Sequence, residues 1–281
     1  MTPDRLDDLA GDPRFIPGVY NYCDRWCERC PLSHRCLNYA MEQAEEDQDP
    51  VARDLASQEF WDSLHRRFHE AVETIHEDAE RLGIDLDDPE PEAEVESHER
   101  ELRREAALNQ PLSRDARDYA RTVHGWFARS ESLLKARGVD LEEESGPVIG
   151  RPVDEVEEIR SVVEVVRWYE HFIYAKLARA IGSRAEEEQQ TDPELRAILN
   201  DGDGSAKIAL IAMDRSLEAW ATLRQRFPEE KDAILQIQLR LDRIRKETES
   251  AFPNARAFVR PGFDEGLARL EVGADQPHPS D

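Results

Sequence analysis

The sequence lacks the features that would place the chain in a bilayer or on a secretory route. No apolar run approaches the roughly 18–20 residues that a membrane-spanning helix needs. The first 15 residues carry Asp4, Asp7, Asp8 and Asp12 and have no apolar stretch, which a secretory signal requires. We therefore expect a cytoplasmic protein with no membrane partner.

Basic residues are also scarce. Lys and Arg number 37 against 62 Asp and Glu, which gives a formal net charge of −25 over 281 residues. A surface of this sign repels the phosphate backbone of nucleic acids and the headgroups of anionic membranes. The charge therefore excludes nucleic acid as a general partner. A protein partner stays open, and the sequence identifies no substrate.

Strand signals are missing as well. The sequence shows no alternation of strand and helix patterns and no Asn-Gly hairpin between alternating runs. Apolar residues instead recur every three or four positions, which is typical of amphipathic helices. We therefore predict an all-α fold, a bundle of about five long helices with a small N-terminal cap that contains all the cysteines. The predicted parts are residues 1–48 as a metal-binding segment, 49–250 as the bundle, and 251–281 as an extended segment with a disordered tail.

The long helices are predicted at residues 50–82, 114–137, 153–181, 205–227 and 229–249, with a short helix near 95–108. Gly83 and Gly182 are taken as helix ends. The segment Asp201-Gly-Asp-Gly-Ser205 is taken as a turn before the fourth long helix. The first helix is expected to direct one apolar stripe into the core: Trp61, Leu64, Phe68, Val72, Ile75, Ala79 and Leu82.

All four cysteines lie within 14 residues and show the spacing C-x3-C-x2-C-x5-C: Cys23, Cys27, Cys30 and Cys36. Disulfides are rare in a reducing compartment, so four thiolates around a metal centre are the favoured interpretation. A [4Fe–4S] cluster suits four ligands that come from one compact loop. Zinc usually takes two well-separated cysteine pairs, and it stays open as the alternative.

The later part of this motif, Cys27-x2-Cys30-Pro-Leu-x3-Cys36, resembles the iron–sulfur loop of the helix-hairpin-helix DNA glycosylases. The resemblance covers about Cys23–Tyr39 and implies iron–sulfur ligands. It implies no glycosylase activity, because the Leu-Pro-Gly-Val-Gly hairpin and the basic DNA-facing helix are missing. The cysteine string, with Arg-Trp-Tyr-Glu-His-Phe and Gly-Ser-Ala-Lys further on, also resembles an uncharacterised group of bacterial all-α proteins, and it implies no activity either.

A second candidate site combines histidines and carboxylates of three predicted helices. Glu73-x-x-His76 has the spacing of di-iron carboxylate bundles, although no second Glu-x-x-His exists. Glu170 falls in the middle of an apolar stripe and needs a partner or a proton, with Arg167 the nearest candidate. The residues that would line a metal or acid–base pocket are His69, Glu73, His76, Glu170, Asp214 and Glu218. The favoured alternative is a structural ion-pair network with Arg167, Lys207 and Arg215.

Two functions remain open from the sequence. In the first, the chain is a non-enzymatic metal-binding protein, a redox-sensing or interaction module that uses the four cysteines. In the second, it is a metal-dependent enzyme whose site lies among the carboxylates and histidines of the bundle. The sequence does not decide whether the protein is an enzyme.

Overall fold

The structure is a computed structural model that describes residues 11–46, 58–84, 86, 91–139, 153–193, 195 and 201–264. Across these ranges the regular structure is helical and contains no strand, which confirms the all-α prediction. The α-helices are α1 (Leu37–Glu46), α2 (Gln58–Leu82), α3 (Pro91–Leu108), α4 (Pro111–Ala136), α5 (Val153–Gln189), α6 (Asp201–Arg226) and α7 (Lys231–Ala251). These seven exceed the five long helices predicted. Among them, none combines the length and apolar character needed to cross a bilayer.

The chain divides into two compact units. The first unit comprises Met1–Glu101 together with Pro261–Asp281, and it contains the cysteine segment, α1 and α2. The second unit comprises Leu102–Arg260 and contains α4 to α7. The four cysteines and residues 261–264 therefore belong to the same unit, although more than 200 residues separate them in the sequence.

The second unit is organised around α6. This helix is apolar over most of its circumference, so it is stable only when other helices surround it. It packs against α5 and α7, and α4 packs against the same two helices. Trp220 of α6 meets Trp126 of α4 edge to face, with ring centroids 5.1 Å apart. Its indole N–H donates to the buried hydroxyl of Tyr119 at 3.1 Å, so the polar atom of Trp220 is satisfied inside the core.

The predicted turn at residues 201–205 is wrong, because α6 already begins at Asp201. A Cβ atom on Gly202 would lie only 3.3 Å from the carbonyl oxygen of Ala180, so the glycine lets α6 approach the backbone of α5. Asp201 accepts hydrogen bonds from Arg179 Nε at 2.6 Å and Ser183 Oγ at 3.0 Å. The glycines therefore serve helix packing rather than a loop.

The predicted end of the third long helix at residue 181 is also wrong. Helix α5 continues through Gly182 to Gln189. Glycine lowers helix stability by only about 1 kcal/mol relative to alanine, which packing can offset. Ala180, one turn from this point, is fully buried in a cluster with Leu210 and Phe252. Burial on both sides of the glycine therefore keeps the helix continuous.

Helix α2 ends where the sequence predicts, but its apolar stripe is not buried. Gly83 has a φ of +72°, and the N–H of Ile84 donates to the carbonyl of Ala79 at 2.9 Å, which closes the helix in the manner of a Schellman motif. The predicted core stripe, called the α2 stripe below, comprises Trp61, Leu64, Phe68, Val72, Ile75, Ala79 and Leu82. Ala79 is buried and Val72 is half-buried, whereas the five larger side chains are between 44% and 68% exposed. The expectation that this stripe faces the core is therefore wrong.

The close approach at Gly202 gives the first test. We expect Gly202→Val to lower the free energy of unfolding by about 1–3 kcal/mol, because the branched side chain must push α6 away from the α5 backbone. Gly125→Val in the middle of α4 is the matched control. A Cβ there meets only the mobile end of Arg129, at 3.3 Å. Urea denaturation should show a clear loss for the first variant and little change for the second; equal losses would contradict the packing argument.

Candidate metal centre

The cysteine segment is built from short turns rather than long helices. Cys27–Arg29 and Ser33–Arg35 each form a single turn of 3-10 helix. The N–H of Cys30 donates to the carbonyl of Cys27 at 3.2 Å, and the N–H of Cys36 donates to that of Ser33 at 3.1 Å. Helix α1 begins directly after Cys36. Each turn therefore has a cysteine at one of its ends.

Arg25 lies between the first two cysteines in a conformation that L-residues rarely adopt. Its φ is +59°, and it is the one non-glycine residue with positive φ among the described residues. A non-glycine residue in this region is strained by about 1–2 kcal/mol. The loop from Cys23 to Cys27 therefore keeps a strained conformation, and sequence reasoning did not foresee it because arginine carries no signal for it.

All four cysteines line one pocket, which the C-terminal segment helps to close. The pocket has an empty volume of about 310 Å³, part of it open to solvent. Its wall is largely aromatic and aliphatic and includes Tyr20, Trp26, Leu32, Tyr39 and Phe263. The four cysteines are half-buried, and none of them is in a disulfide. The compact cysteine spacing thus brings four thiols to the same cavity.

Phe263 reaches the pocket because the chain turns at Gly262. This glycine has a φ of +74°, and a Cβ on it would lie 2.8 Å from Ile16 Cδ1 and 3.2 Å from Leu32 Cδ1. The sequence analysis had assigned residues 251–281 to an extended segment and did not connect them with the cysteines. Only the glycine next to Phe263 hinted at a close approach.

The electrostatics of the pocket depend on the thiols themselves. Burial raises the pKa of the Cys27 thiol to about 11, and the negative charges of Glu42 and of the other three cysteines add to this effect. The S–H of Cys23 donates to the carbonyl of Tyr20 at 3.4 Å, whereas Cys30 Sγ accepts from the N–H of Leu32 at 3.4 Å. Four thiolates in this cavity would repel one another, so their ionisation requires a positive charge between them.

The sulfur atoms share the pocket without converging on one point. In the part of the chain that the structure describes, no group of three or more His, Cys, Asp or Glu side chains is placed to hold a single metal ion. His34, which lies between Cys30 and Cys36, is exposed and is not part of the pocket wall. The donor set that the pocket offers to a larger group is therefore four sulfur atoms.

The second candidate site involves residues of both units. His69, Glu73 and His76 are exposed on α2 in the first unit, and Glu170, Asp214 and Glu218 belong to the second unit. Arg256 binds both carboxylate oxygens of Asp214, at 2.5 and 3.2 Å. Lys207 donates to the carbonyls of Arg256 and Phe258, at 3.1 and 2.6 Å. The polar strip of α6 thus has structural partners, and the bundle metal site stays a prediction.

Glu170 is the buried carboxylate that the sequence singled out. It is 9% exposed, and burial raises the pKa of its carboxyl above the ordinary value, against the opposing charges of His171, His124 and Arg167. Its Oε1 lies 3.1 Å from Nε2 of His171. Arg167, the expected partner, instead places its guanidinium 6.0 Å from the ring centroid of Phe127. Glu170 has the partner that its burial requires, and that partner is a histidine.

The turn at Gly262 can be tested against a glycine of the same conformation. Gly262→Ala should lower the free energy of unfolding and speed the labelling of the cysteines by a thiol reagent in metal-free protein. The new methyl group collides with Ile16 and Leu32, so the loss should exceed the strain of positive φ by about 1 kcal/mol or more. Gly18→Ala is the control, since Gly18 has a φ of +73° but its nearest contact would be at 3.5 Å. Equal effects of the two variants would contradict the role of Gly262.

The raised pKa of Cys27 predicts slow alkylation of the metal-free protein. Only thiolates react with iodoacetamide, so the Cys27 rate should rise about tenfold per pH unit and level off only near pH 11. The folded thiol also holds its proton more tightly than the unfolded one. This contribution to stability is present below the ordinary thiol pKa and is lost as the pH rises toward 11. Mass spectrometry of Cys27 peptides measures the rate, and a plateau below pH 9 would contradict the burial argument.

Comparison with known proteins gives no further guide to this site. No protein-family model matches the chain. No curated protein and no solved structure matches it either. The functional interpretation therefore rests on the chain's own residues.

Proposed function

We propose that Cys23, Cys27, Cys30 and Cys36 bind a [4Fe–4S] cluster, and that the chain acts as a non-enzymatic redox-sensing or interaction module. The observation that carries this proposal is the shared pocket, whose wall contains all four thiols and no other cysteine of the chain. Zinc bound by the same four sulfurs is the alternative. Both centres need deprotonated cysteines, so binding would release protons.

The groups around the pocket suit an anionic centre. The N–H that Leu32 donates to Cys30 Sγ stabilises negative charge on sulfur, as backbone donors do in many metal–thiolate sites. Residues 12–39 contain four arginines and three acidic residues, although the whole chain has a net charge of −25. Arg25, Arg29 and Arg35 are exposed within this segment. Their positive charge would partly offset the net negative charge of a four-thiolate centre.

The spacing of the sulfurs favours a cluster over a single ion. Zinc with Zn–S bonds of about 2.3 Å requires tetrahedral sulfurs only about 3.8 Å apart. No three ligand side chains of the described residues are placed in this way. A cubane binds one sulfur at each of four separate iron corners, so it accepts sulfurs that line a wider cavity.

The nature of the donors and of the wall favours sensing or electron transfer over catalysis. Four cysteines occupy four coordination positions, so neither centre would keep an open site for a substrate. Tyr20, Trp26, Tyr39 and Phe263 provide an apolar wall, and such a wall tunes the reduction potential by limiting solvent. A bound cluster would supply one-electron redox chemistry, whereas zinc would supply only a structural cross-link.

The enzymatic alternative receives less support. Asp214 is held by Arg256, and Glu170 lies next to His171. These contacts explain the polar residues of the second unit as structural, without a substrate or a metal. The four-cysteine centre is therefore the function that the contacts of the described residues favour.

The proposal is tested by anaerobic purification followed by metal and sulfide analysis and a visible spectrum. We expect a brown protein with broad absorption near ~400 nm, which dithionite bleaches reversibly. Replacing all four cysteines with alanine should abolish the colour and the iron. The control Ser33→Ala changes a residue of the pocket wall that is not a ligand, and it should keep both.

The other outcomes separate the alternatives. A colourless protein with one zinc per chain, lost in the four-alanine variant, would replace the cluster by zinc and remove the redox role. Purified full-length protein that contains neither iron nor zinc would overturn the metal centre as a whole. Iron that survives in the four-alanine variant would place the metal elsewhere in the chain.

A further inference from the structure

The α2 stripe is exposed to a degree that soluble proteins usually avoid. Phe68 and Leu82 are 68% and 66% exposed. The apolar surface continues past the helix, because Ile84 and Leu86 are also exposed. Contiguous apolar surface of this kind marks a site of association. A 25-residue helix in water also gains most of its stability from packing of its apolar face.

We propose that this stripe pairs with the same stripe of a second copy of the chain, with the two α2 helices antiparallel. The proposal is independent of the cysteine centre. Trp61, Phe68, Ile75 and Leu82 follow one another at intervals of seven residues. This is the repeat of a helix that packs along a single partner helix in a coiled coil.

The stripe is complementary to itself. When two copies run in opposite directions about a two-fold axis, Trp61 lies level with Leu82 of the second copy, and Phe68 lies level with Ile75. Leu64 lies level with the small side chain of Ala79, so a large residue meets a small one. A two-fold interface uses the same surface on both partners and therefore requires this kind of symmetry.

The charges on α2 favour the antiparallel direction. Residues 61–71 contain Asp62, Glu70, Arg66 and Arg67, with no net charge when the histidines are neutral. Residues 72–82 contain four acidic residues and Arg81, with a net charge of −3. A parallel pair would place the two acidic halves side by side. An antiparallel pair places each acidic half beside the half that carries two arginines, which lowers the repulsion.

The same argument identifies a second copy as the occupant rather than an unrelated protein. The stripe shows both the size symmetry and the charge asymmetry that an antiparallel pair of identical helices needs. The chain's net charge of −25 opposes self-association at long range, and physiological salt screens this repulsion beyond about 8 Å. We therefore expect the dimer to be stronger at moderate than at low ionic strength.

The test is sedimentation of the full chain over a concentration series at physiological salt. The wild type should sediment with twice the 32.3 kDa mass of one chain. The double variant Phe68→Ser, Ile75→Ser should weaken the dimer at least about 100-fold, because it removes four large side chains from the interface. The control Glu73→Ser, Glu77→Ser changes the far side of α2, at about 100° per residue, and should stay dimeric. Circular dichroism confirms that both variants keep their helix content.

The orientation is tested by photocross-linking with Leu64→benzoylphenylalanine. Cross-links to the second copy near Ala79 support the antiparallel pair, whereas cross-links near Leu64 overturn it. A wild type that stays monomeric at every concentration, or a dimer that survives the Phe68→Ser, Ile75→Ser change, overturns the proposed interface. A monomer that binds a different protein through this stripe overturns the second copy as its occupant.

Discussion

The burial of α6 is the interaction on which the second unit depends. Because α6 is apolar on most sides, α5 and α7 must cover it, and the stack of Trp126 against Trp220 fills the space between α4 and α6. The close approach at Gly202 permits this arrangement, since a side chain there would meet the α5 backbone. Polar residues at the rim of this core pair with one another, as Asp214 does with Arg256.

The first unit depends on a different constraint. Its cysteine segment has no long helices and only a small apolar wall, and short segments of this kind usually need a metal or a disulfide to be stable. The thiols share a cavity in which thiolates would repel one another. A bound cationic centre would remove this repulsion and would cross-link the turns at Cys27 and Cys36 to the loop at Cys23. Binding of the metal and ordering of the segment would then be one event.

Sequence reasoning performed best where the physical signal is local. Helical periodicity predicted an all-α chain and the end of α2 at Gly83, because the positive φ of that glycine belongs to the helix terminus itself. It failed at Gly182 and Gly202, which look like helix ends but lie inside helices. At both positions, packing between helices outweighs the low helix propensity of glycine. The α2 stripe failed for a related reason: periodicity identifies an apolar face but not what covers it.

The sequence by itself determined that the chain is helical and that four thiols lie within 14 residues. It also showed that Glu170 would be buried in an apolar stripe and would need a partner. Only the tertiary structure decided that Phe263 closes the cysteine pocket and that His171 rather than Arg167 lies beside Glu170. The physical reason is that spacing along a helix or loop is set by local backbone geometry. Contacts between distant segments depend on how close two backbones can come, and that is decided by packing.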